Sequence, residues 1–201
     1  MSLIQRLRGN YDSTNSKIII AYESQNATAK AIVGTVSGTS ISFGSETLFS
    51  ADTIEYNSAT YDSTNGKVVI AYKDYGNNEY GTAVVGTVSG TSISFGSAVT
   101  FASADTRNIS CTYDGSNKVI IAYRDQPNSN YGTVILGTVS GTSISFGTAT
   151  QFYTNVNYTN STLINKVIRM NLWNSMTPIN INLFCKSINV LKSVIEVILC
   201  L

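Results

Sequence analysis

Residues 61–72 read YDSTNGKVVIAY and residues 86–96 read GTVSGTSISFG. Close copies of the first word stand at 11–22 and 113–123, and the second word recurs unchanged at residues 34–44 and 137–147. The chain therefore carries three copies of one pattern with a period of about fifty residues, which is the size of a propeller blade or of another small antiparallel sheet. The pattern indicates an architecture and contains no signature of a substrate.

The third copy shows most clearly how each copy begins. Residues 107–113 alternate between polar and apolar side chains, with Ile109 and Cys111 on one face, as expected of an amphipathic strand. Asp114 and Gly115 follow and predict a turn, because Asp bonds to its own backbone and Gly tolerates a positive φ. We expect this strand at the edge of a small sheet.

The middle of each copy has a different pattern. Residues 119–122 and 134–136 are apolar on both faces, and residues 142–146 alternate again after a tight hairpin at Ser140 and Gly141. Inner strands that are apolar on both sides need a neighbour on both sides, whereas a two-layer sandwich covers only one. We therefore favour three four-stranded, antiparallel, propeller-like blades over a sandwich.

The sequence also resembles a known kind of repeat. The words NGKVVIAY at 65–72, YGTAVVGTVSG at 80–90 and TSISFG at 91–96 are similar to tandem repeats of about fifty residues from environmental and marine microbial sequences, whose function is unknown. The resemblance covers residue 11 to about residue 152. It implies four-stranded propeller blades and transfers no functional residue.

Three blades do not complete a ring, since closed propellers have about four to eight. We expect an incomplete or open ring over residues 1–152, divided near 1–50, 51–102 and 103–152. An open array leaves apolar faces and strand edges unpaired. The sequence thus predicts either a homo-oligomer or further blades in a longer chain.

Residues 153–201 have a different composition. All fifteen glycines fall at or before Gly147. The NKVI of residues 165–168 repeats that of residues 117–120 and predicts a partial fourth blade. Pro178 and apolar residues at helical spacing then predict a helix over 178–199. Charged residues interrupt this segment, so we expect no membrane span. A tail that was never selected to fold is the alternative interpretation.

The charge pattern and the rare residue types exclude several function classes. The chain has 13 Lys and Arg against 12 Asp and Glu, for a net charge of +1, so it lacks the basic surface that nucleic acids require. It has no His, and its three cysteines form no C-x-x-C pair, so we expect no metal and no cofactor. Buried free thiols are the expected state of the cysteines.

No catalytic constellation is visible in the sequence. Without His the usual general base is missing, and only Ser-Lys or paired-carboxylate chemistry remains open. Asp12, Asp62 and Asp114 each follow a tyrosine at the start of a hairpin. They are predicted to be structural turn residues.

The loops between the second and third strands are the candidate ligand-binding sites. Amide, carboxylate and tyrosine side chains there are typical of sugar recognition, although any solvated loop has a similar composition. The candidate residues are Asp74, Tyr75, Asn77, Asn78 and Tyr80 in the second copy, and Asp125, Asn128, Asn130 and Tyr131 in the third.

The sequence therefore predicts a non-enzymatic, lectin-like binding or adhesion module with a glycan or protein ligand. It does not determine the compartment, and a location outside the cell or on its surface would follow only from that binding role. Weak contacts made by several copies would add through avidity. Two alternatives stay open. One is a fragment of a propeller-type carbohydrate-active enzyme, which requires two carboxylates in one pocket. The other is a truncated structural fragment without independent function.

Overall fold

The structure, a computed structural model, describes residues 5–12 and 15–153 of the 201-residue chain. The predicted fourth-blade remnant, the predicted helix over 178–199, and Cys185 and Cys200 lie outside the described residues. Within those residues the secondary structure consists of β-strands and one short 3₁₀ turn at Tyr75–Asn77. The prediction of an all-β chain with antiparallel sheets is confirmed.

Fourteen strands follow one another along the described chain. They are β1 (Gln5–Asp12), β2 (Lys17–Glu23), β3 (Ala29–Ser37), β4 (Ser40–Phe43), β5 (Thr47–Ser50), β6 (Ile54–Asp62), β7 (Lys67–Asp74), β8 (Tyr80–Ser89), β9 (Ser92–Phe95), β10 (Val99–Tyr113), β11 (Val119–Asp125), β12 (Tyr131–Ser140), β13 (Ser143–Phe146) and β14 (Thr150–Tyr153).

The strands form three antiparallel meanders, which we call unit 1 (β1 to β5), unit 2 (β6 to β9 with the first half of β10) and unit 3 (the second half of β10 with β11 to β14). In unit 1 the order is β1-β2-β3-β4, and β5 pairs with the other end of β3. The fourth strand of each unit is therefore interrupted. Its second half leads into the first strand of the next unit.

Strand β10 shows this connection without a break. Its residues Val99 to Asp105 pair with β8 of unit 2, and Thr106 to Tyr113 pair with β11 of unit 3. Units 2 and 3 consequently belong to one nine-stranded sheet, whereas unit 1 is a separate five-stranded sheet. The described residues form no closed ring.

The three units share one register. Gly34 pairs with Phe43, Gly86 with Phe95 and Gly137 with Phe146. One side-chain hydrogen bond also occurs in all three units, from a lysine Nζ at the start of the second strand to a threonine Oγ1 on the third. The pairs are Lys17 to Thr35 at 2.8 Å, Lys67 to Thr87 at 2.9 Å and Lys118 to Thr138 at 2.7 Å. Positions can therefore be compared between units one by one.

The apolar core lies between the units. One cluster joins Ile19, Ala21 and Val33 of unit 1 to Val68 and Ile70 of unit 2. A second cluster joins the opposite side of unit 2 to unit 3 and includes Val69, Val85, Ile121 and Ile135. Unit 2 is thus covered on both faces. The inner strands of unit 2 are apolar on both faces, and each face packs against a neighbouring sheet. The sequence pattern predicted this arrangement.

The first strand of each unit differs from its prediction as an amphipathic edge strand. Its alternation is present, but the polar residues are buried too, including Asn57, Ser58 and Ser110. Strand β6 contacts both β1 and β10, so the first strands of successive units lie side by side. The buried polar groups form hydrogen bonds between units. Asn57 Nδ2 donates to the Ala21 carbonyl of β2 at 3.3 Å, and the Cys111 amide of β10 donates to Ser58 Oγ of β6 at 3.0 Å.

The predicted aspartate turns are confirmed. Asp62 Oδ1 accepts hydrogen bonds from the amides of Thr64 and Asn65, both at 3.0 Å. Asp114 Oδ1 accepts from the amide of Ser116 at 2.7 Å, and Asp12 Oδ1 accepts from the amide of Asn15 at 3.0 Å. These carboxylates serve the hairpins between the first and second strands.

Two further observations concern sequence predictions. Cys111 is a buried free thiol, as expected, and burial raises the pKa of its thiol to about 12. Over residues 5–12 and 15–153, no helix has the length and apolar character needed to cross a bilayer.

Candidate functional site

The loop after β7 has a shape fixed by its own polar groups. Asp74 caps the 3₁₀ turn, and its Oδ1 accepts a hydrogen bond from the Gly76 amide at 3.1 Å. Asn78 and Glu79 then take left-handed backbone conformations, with φ of 52° and 64°. Burial raises the pKa of the Asp74 carboxyl, and the charge of Asp52 adds to this effect.

The candidate side chains of this loop stand in different environments. Tyr75 is 42 % exposed and Asn78 is also exposed. Asn77 is half-buried and donates from Nδ2 to Thr100 Oγ1 at 2.9 Å, and Tyr80 is half-buried at the start of β8. The loop therefore offers one accessible aromatic ring next to one exposed amide and one anchored amide.

Lys73 lies beneath this loop and is the most buried charged group of the site. Its side chain is 2 % exposed, and its Nζ forms ion pairs with Glu79 and, at 2.7 Å, with Asp105 Oδ1. The same Nζ lies 4.9 Å from the centre of the Tyr75 ring, a cation–π distance. Burial disfavours the charged amine, but the hydrogen bonds to Asp105 and Glu79 outweigh it and raise the pKa of Lys73.

Asp105 connects this loop to unit 3. Arg107 Nη2 donates to Asp105 Oδ2 at 2.8 Å and to Gln126 Oε1 at 3.2 Å. The Gln126 amide in turn donates to the Asp105 carbonyl at 3.1 Å. Burial opposes ionisation of Asp105, but the hydrogen bonds from Arg107 and Lys73 prevail and hold the pKa of its carboxyl below the usual value.

The loop after β11 is built differently. Asn130 has a left-handed backbone, with φ of 59°, and its amide donates to the Gln126 carbonyl at 3.4 Å. The Tyr131 amide donates to the Asn128 carbonyl at 3.0 Å, so Asn128 and Tyr131 close a tight turn. Asn128 is exposed, whereas Asn130 and Tyr131 are half-buried.

Asp125 starts this loop and differs from Asp74, its counterpart in unit 2. Its Oδ1 and the Nε of the adjacent Arg124 are buried and have no hydrogen-bond partner among the described residues. Asp74, in contrast, uses its carboxylate to cap a turn. The two loops therefore present similar residue types in different arrangements.

Both loops contact the same point of β10. The Thr106 amide donates to the Glu79 carbonyl at 3.3 Å, and the neighbouring Asp105 carbonyl accepts from Gln126. The structure thus brings the Asp74–Tyr80 and Asp125–Tyr131 segments to the same junction between units 2 and 3. Sequence analysis placed the candidate residues on loops and did not find that Asp105 and Arg107 join them.

One feature of the sequence could have indicated these two residues. Asp105 and Arg107 flank the entry to the first strand of unit 3, immediately before Asn108, whose φ is 53°. The same positions in unit 2 are Thr53 and Glu55, before Tyr56 with φ of 50°. The strand register shifts just after these positions in both units. Unit 3 has an acidic and a basic residue there, whereas unit 2 has Thr53 and Glu55. This difference between the repeats was visible in the sequence.

The described residues contain no group of three or more acidic or cysteine side chains placed to hold a metal ion. Comparison of the chain with protein-family models, with curated proteins and with solved structures gives no match. The loop geometry therefore carries the functional argument alone.

Proposed function

We propose that this protein is a non-enzymatic glycan-binding module whose ligand contacts the β7–β8 and β11–β12 loops. The observation that carries this proposal is the Tyr75 ring, which is exposed while Lys73 lies against it at a cation–π distance. A ring held in this way loses little freedom when a sugar stacks on it. The amides of Asn77, Asn78 and Asn128 supply hydrogen-bond donors and acceptors for hydroxyl groups.

Further support comes from the rigidity of the junction. The Lys73, Glu79, Asp105, Arg107 and Gln126 side chains form one connected polar network under the two loops. A preorganised site loses less conformational entropy on binding than a mobile one. Two adjacent loops also allow two weak sugar contacts to be made by one branched or repeating glycan.

We also propose that the three units are propeller-like blades. Two observations support this: unit 2 is covered on both faces, and the fourth strand of one unit continues into the first strand of the next. In such an arrangement the loops after the second strands recur at the same edge of each blade. Repeated display at one edge suits a binding or adhesion role.

A glycan array with the full chain tests the binding proposal. We expect Tyr75→Ala to weaken the strongest signal about tenfold, the loss of roughly one stacking contact. Tyr75→Phe keeps the ring and should retain most of the signal. Asn26→Ala removes an exposed amide from the corresponding loop of unit 1 and is the matched control.

Two results would contradict the proposal. One is the absence of any glycan signal from the correctly folded chain. The other is a glycan signal that Tyr75→Ala and Asn128→Ala leave as strong as Asn26→Ala does, because binding would then lie elsewhere on the molecule.

A further inference from the structure

The second strands of units 2 and 3 end in the same way, with a buried tyrosine followed by a cation. In unit 2 the pair is Tyr72 and Lys73, and in unit 3 it is Tyr123 and Arg124. Each cation is the second-last residue of its strand and pairs with a glycine of the third strand. Lys73 and Arg124 are therefore equivalent positions of two successive units.

Lys73 shows what a cation at this position requires. Its Nζ contacts two carboxylates, one on its own loop at Glu79 and one at Asp105, which lies 2.7 Å away on the strand that leads into the next unit. Charged hydrogen bonds to these groups replace the water that the buried amine has lost. In unit 2, acidic groups thus compensate the cation at the end of the second strand.

Arg124 lacks this compensation. Its Nε is buried without a hydrogen-bond partner, and no ion pair within the described residues involves Arg124. The loop after β11 reads QPNSN at residues 126–130, so Asn130 stands where unit 2 has Glu79. A buried charged group without a partner in the protein indicates a missing ligand.

The neighbouring charges make the absence more marked. Arg107 lies directly opposite Arg124 in the register of β10 and β11, so the two side chains share a face of the sheet, where like charges repel. Arg107 is balanced by Asp105, to which its Nη2 donates at 2.8 Å. Of the cations Lys73, Arg107 and Arg124, the last is the one without an acidic partner among the described residues.

The position of Arg124 allows a ligand to reach it. The residue is half-buried at the base of the β11–β12 loop, and Nε is the one nitrogen of its guanidinium group that is buried without a partner. The Nη atoms are therefore open to an incoming acceptor. A planar guanidinium group binds a carboxylate through two parallel N–H···O bonds, whereas a sugar hydroxyl group would leave its charge uncompensated.

We propose that Arg124 binds a carboxylate of the ligand, so that the glycan recognised by these loops is acidic and contains a uronic or sialic acid. This inference rests on the proposed glycan-binding function and names the class of sugar. The carboxylate would take the place at unit 3 that Glu79 and Asp105 hold at unit 2. Asn128, exposed on the same loop, would bind neighbouring hydroxyl groups.

Titration of the full chain with two acidic sugars and their methyl esters is the first test. The probes are an oligogalacturonate and sialyllactose, because esterification removes the charge and keeps the sugar rings. We expect at least one acid to bind about tenfold or more tightly than its ester, since hydrogen bonds to charged groups are the stronger ones. The difference should shrink as the salt concentration rises.

The outcomes separate this inference from the proposed function. If neither acid binds better than its ester, while a neutral glycan on the array still depends on Tyr75, the acidic ligand is overturned and the glycan-binding function stands. If no glycan binds, acidic or neutral, both are overturned. These comparisons use the wild-type chain and do not require any variant to fold.

Substitution of Arg124 is the second test. Arg124→Gln should weaken binding of the acid about tenfold and leave binding of the ester unchanged, and Arg124→Lys should retain part of the preference. Lys118→Gln removes the same charge next to the other end of β11 and is the matched control. Equal weakening by Arg124→Gln and Lys118→Gln would assign the preference to net charge and overturn the proposal.

The chain itself is the other source of a carboxylate. Beyond Asp125 its sequence contains one acidic side chain, Glu196. If Glu196 were the partner of Arg124, Arg124→Gln and Glu196→Gln would lower Tm equally, and the double variant would lower it no further. That result overturns the proposal. We expect independent effects on Tm and an affinity for the acid that Glu196→Gln leaves unchanged.

Discussion

Unit 2 and unit 1 have nearly the same repeated segments, yet the isoleucine and phenylalanine of their fourth strands have opposite environments. Ile93 and Phe95 of unit 2 lie between two sheets, whereas Ile41 and Phe43 of unit 1 are half exposed. The residues are identical in type and in register, so the difference comes from the neighbouring unit alone. Burial in this molecule is a property of the interface between units, as in repeat arrays where each unit contacts only its neighbours.

The largest difference in stability should come from replacing the equivalent isoleucines of units 1 and 2 by alanine. Ile93→Ala removes a buried side chain and should lower the free energy of unfolding by about 3 kcal/mol. Ile41→Ala, at the equivalent exposed position, should lower it by less than about 1 kcal/mol. Denaturant titration at low protein concentration measures both, and Ile144→Ala serves as a second buried control. Equal losses of stability at Ile93 and Ile41 would contradict the difference in burial between the two units.

The glycine positions should give the next largest difference. Gly96→Ala forces a methyl group onto the Thr142 carbonyl and should destabilise the chain by about 2 kcal/mol. Gly147→Ala meets no such atom and should change the free energy of unfolding by less than about 0.5 kcal/mol. Thermal unfolding of the two variants beside the wild type measures this. A loss at Gly147 as large as that at Gly96 would contradict the difference in packing between the two glycines.

The junction between units 2 and 3 should be more sensitive to acid than the junction between units 1 and 2. Asp105→Asn removes the carboxylate that Lys73 and Arg107 share and should lower stability at neutral pH by about 1.5 kcal/mol. The pKa of Asp105 is lowered in the folded state, so its contribution is present above the unfolded-state pKa and lost as the pH falls through the folded-state pKa.

Wild type should therefore lose more stability between neutral and acidic pH than Asp105→Asn does. Thr53→Val changes the equivalent position at the other junction and should leave the pH profile unchanged. Denaturation midpoints measured from pH 7 down to about pH 2 would test this, given the ordinary range of carboxyl pKa values. Parallel profiles for wild type and Asp105→Asn would contradict the role of the Asp105 ion pairs.

The smallest effect concerns a contact within each unit. Thr35→Val, Thr87→Val and Thr138→Val each remove the hydrogen bond from a lysine of the same unit. We expect each substitution to lower the free energy of unfolding by about 0.5 kcal/mol, because the bonds are partly solvated and need no neighbouring unit. Similar losses in all three units would sharpen the comparison, and a loss confined to unit 2 would contradict it.

Much of the fold followed from the sequence because its signals are local. Alternation and turn residues predicted antiparallel strands, and the side chains of Asp62 and Asp114 form the predicted turns. The apolar runs around Ile70 and Ile121 indicated strands covered on both sides, and both residues are buried between units. Such signals depend on neighbours within a few residues along the chain.

The candidate site followed from the sequence only in part. Loop position and residue type led to Tyr75, Asn77 and Asn128, and their role in binding stays a prediction. The network below them joins Lys73 to Asp105, thirty-two residues apart, and no local pattern indicates such a pairing. The burial of Ser110 was also missed, because a polar residue in an alternating strand is expected to face solvent until the adjacent first strand is known.

The sequence by itself determined the strands, their order within each unit, the turns that join them and the apolar character of both faces of the inner strands. Only the tertiary structure decided which of these faces are covered, which first strands lie side by side, and how β10 links two units through Asp105. The physical reason is that backbone geometry and turn chemistry act over a few residues, whereas burial and ion pairing depend on groups that folding brings together from distant parts of the chain.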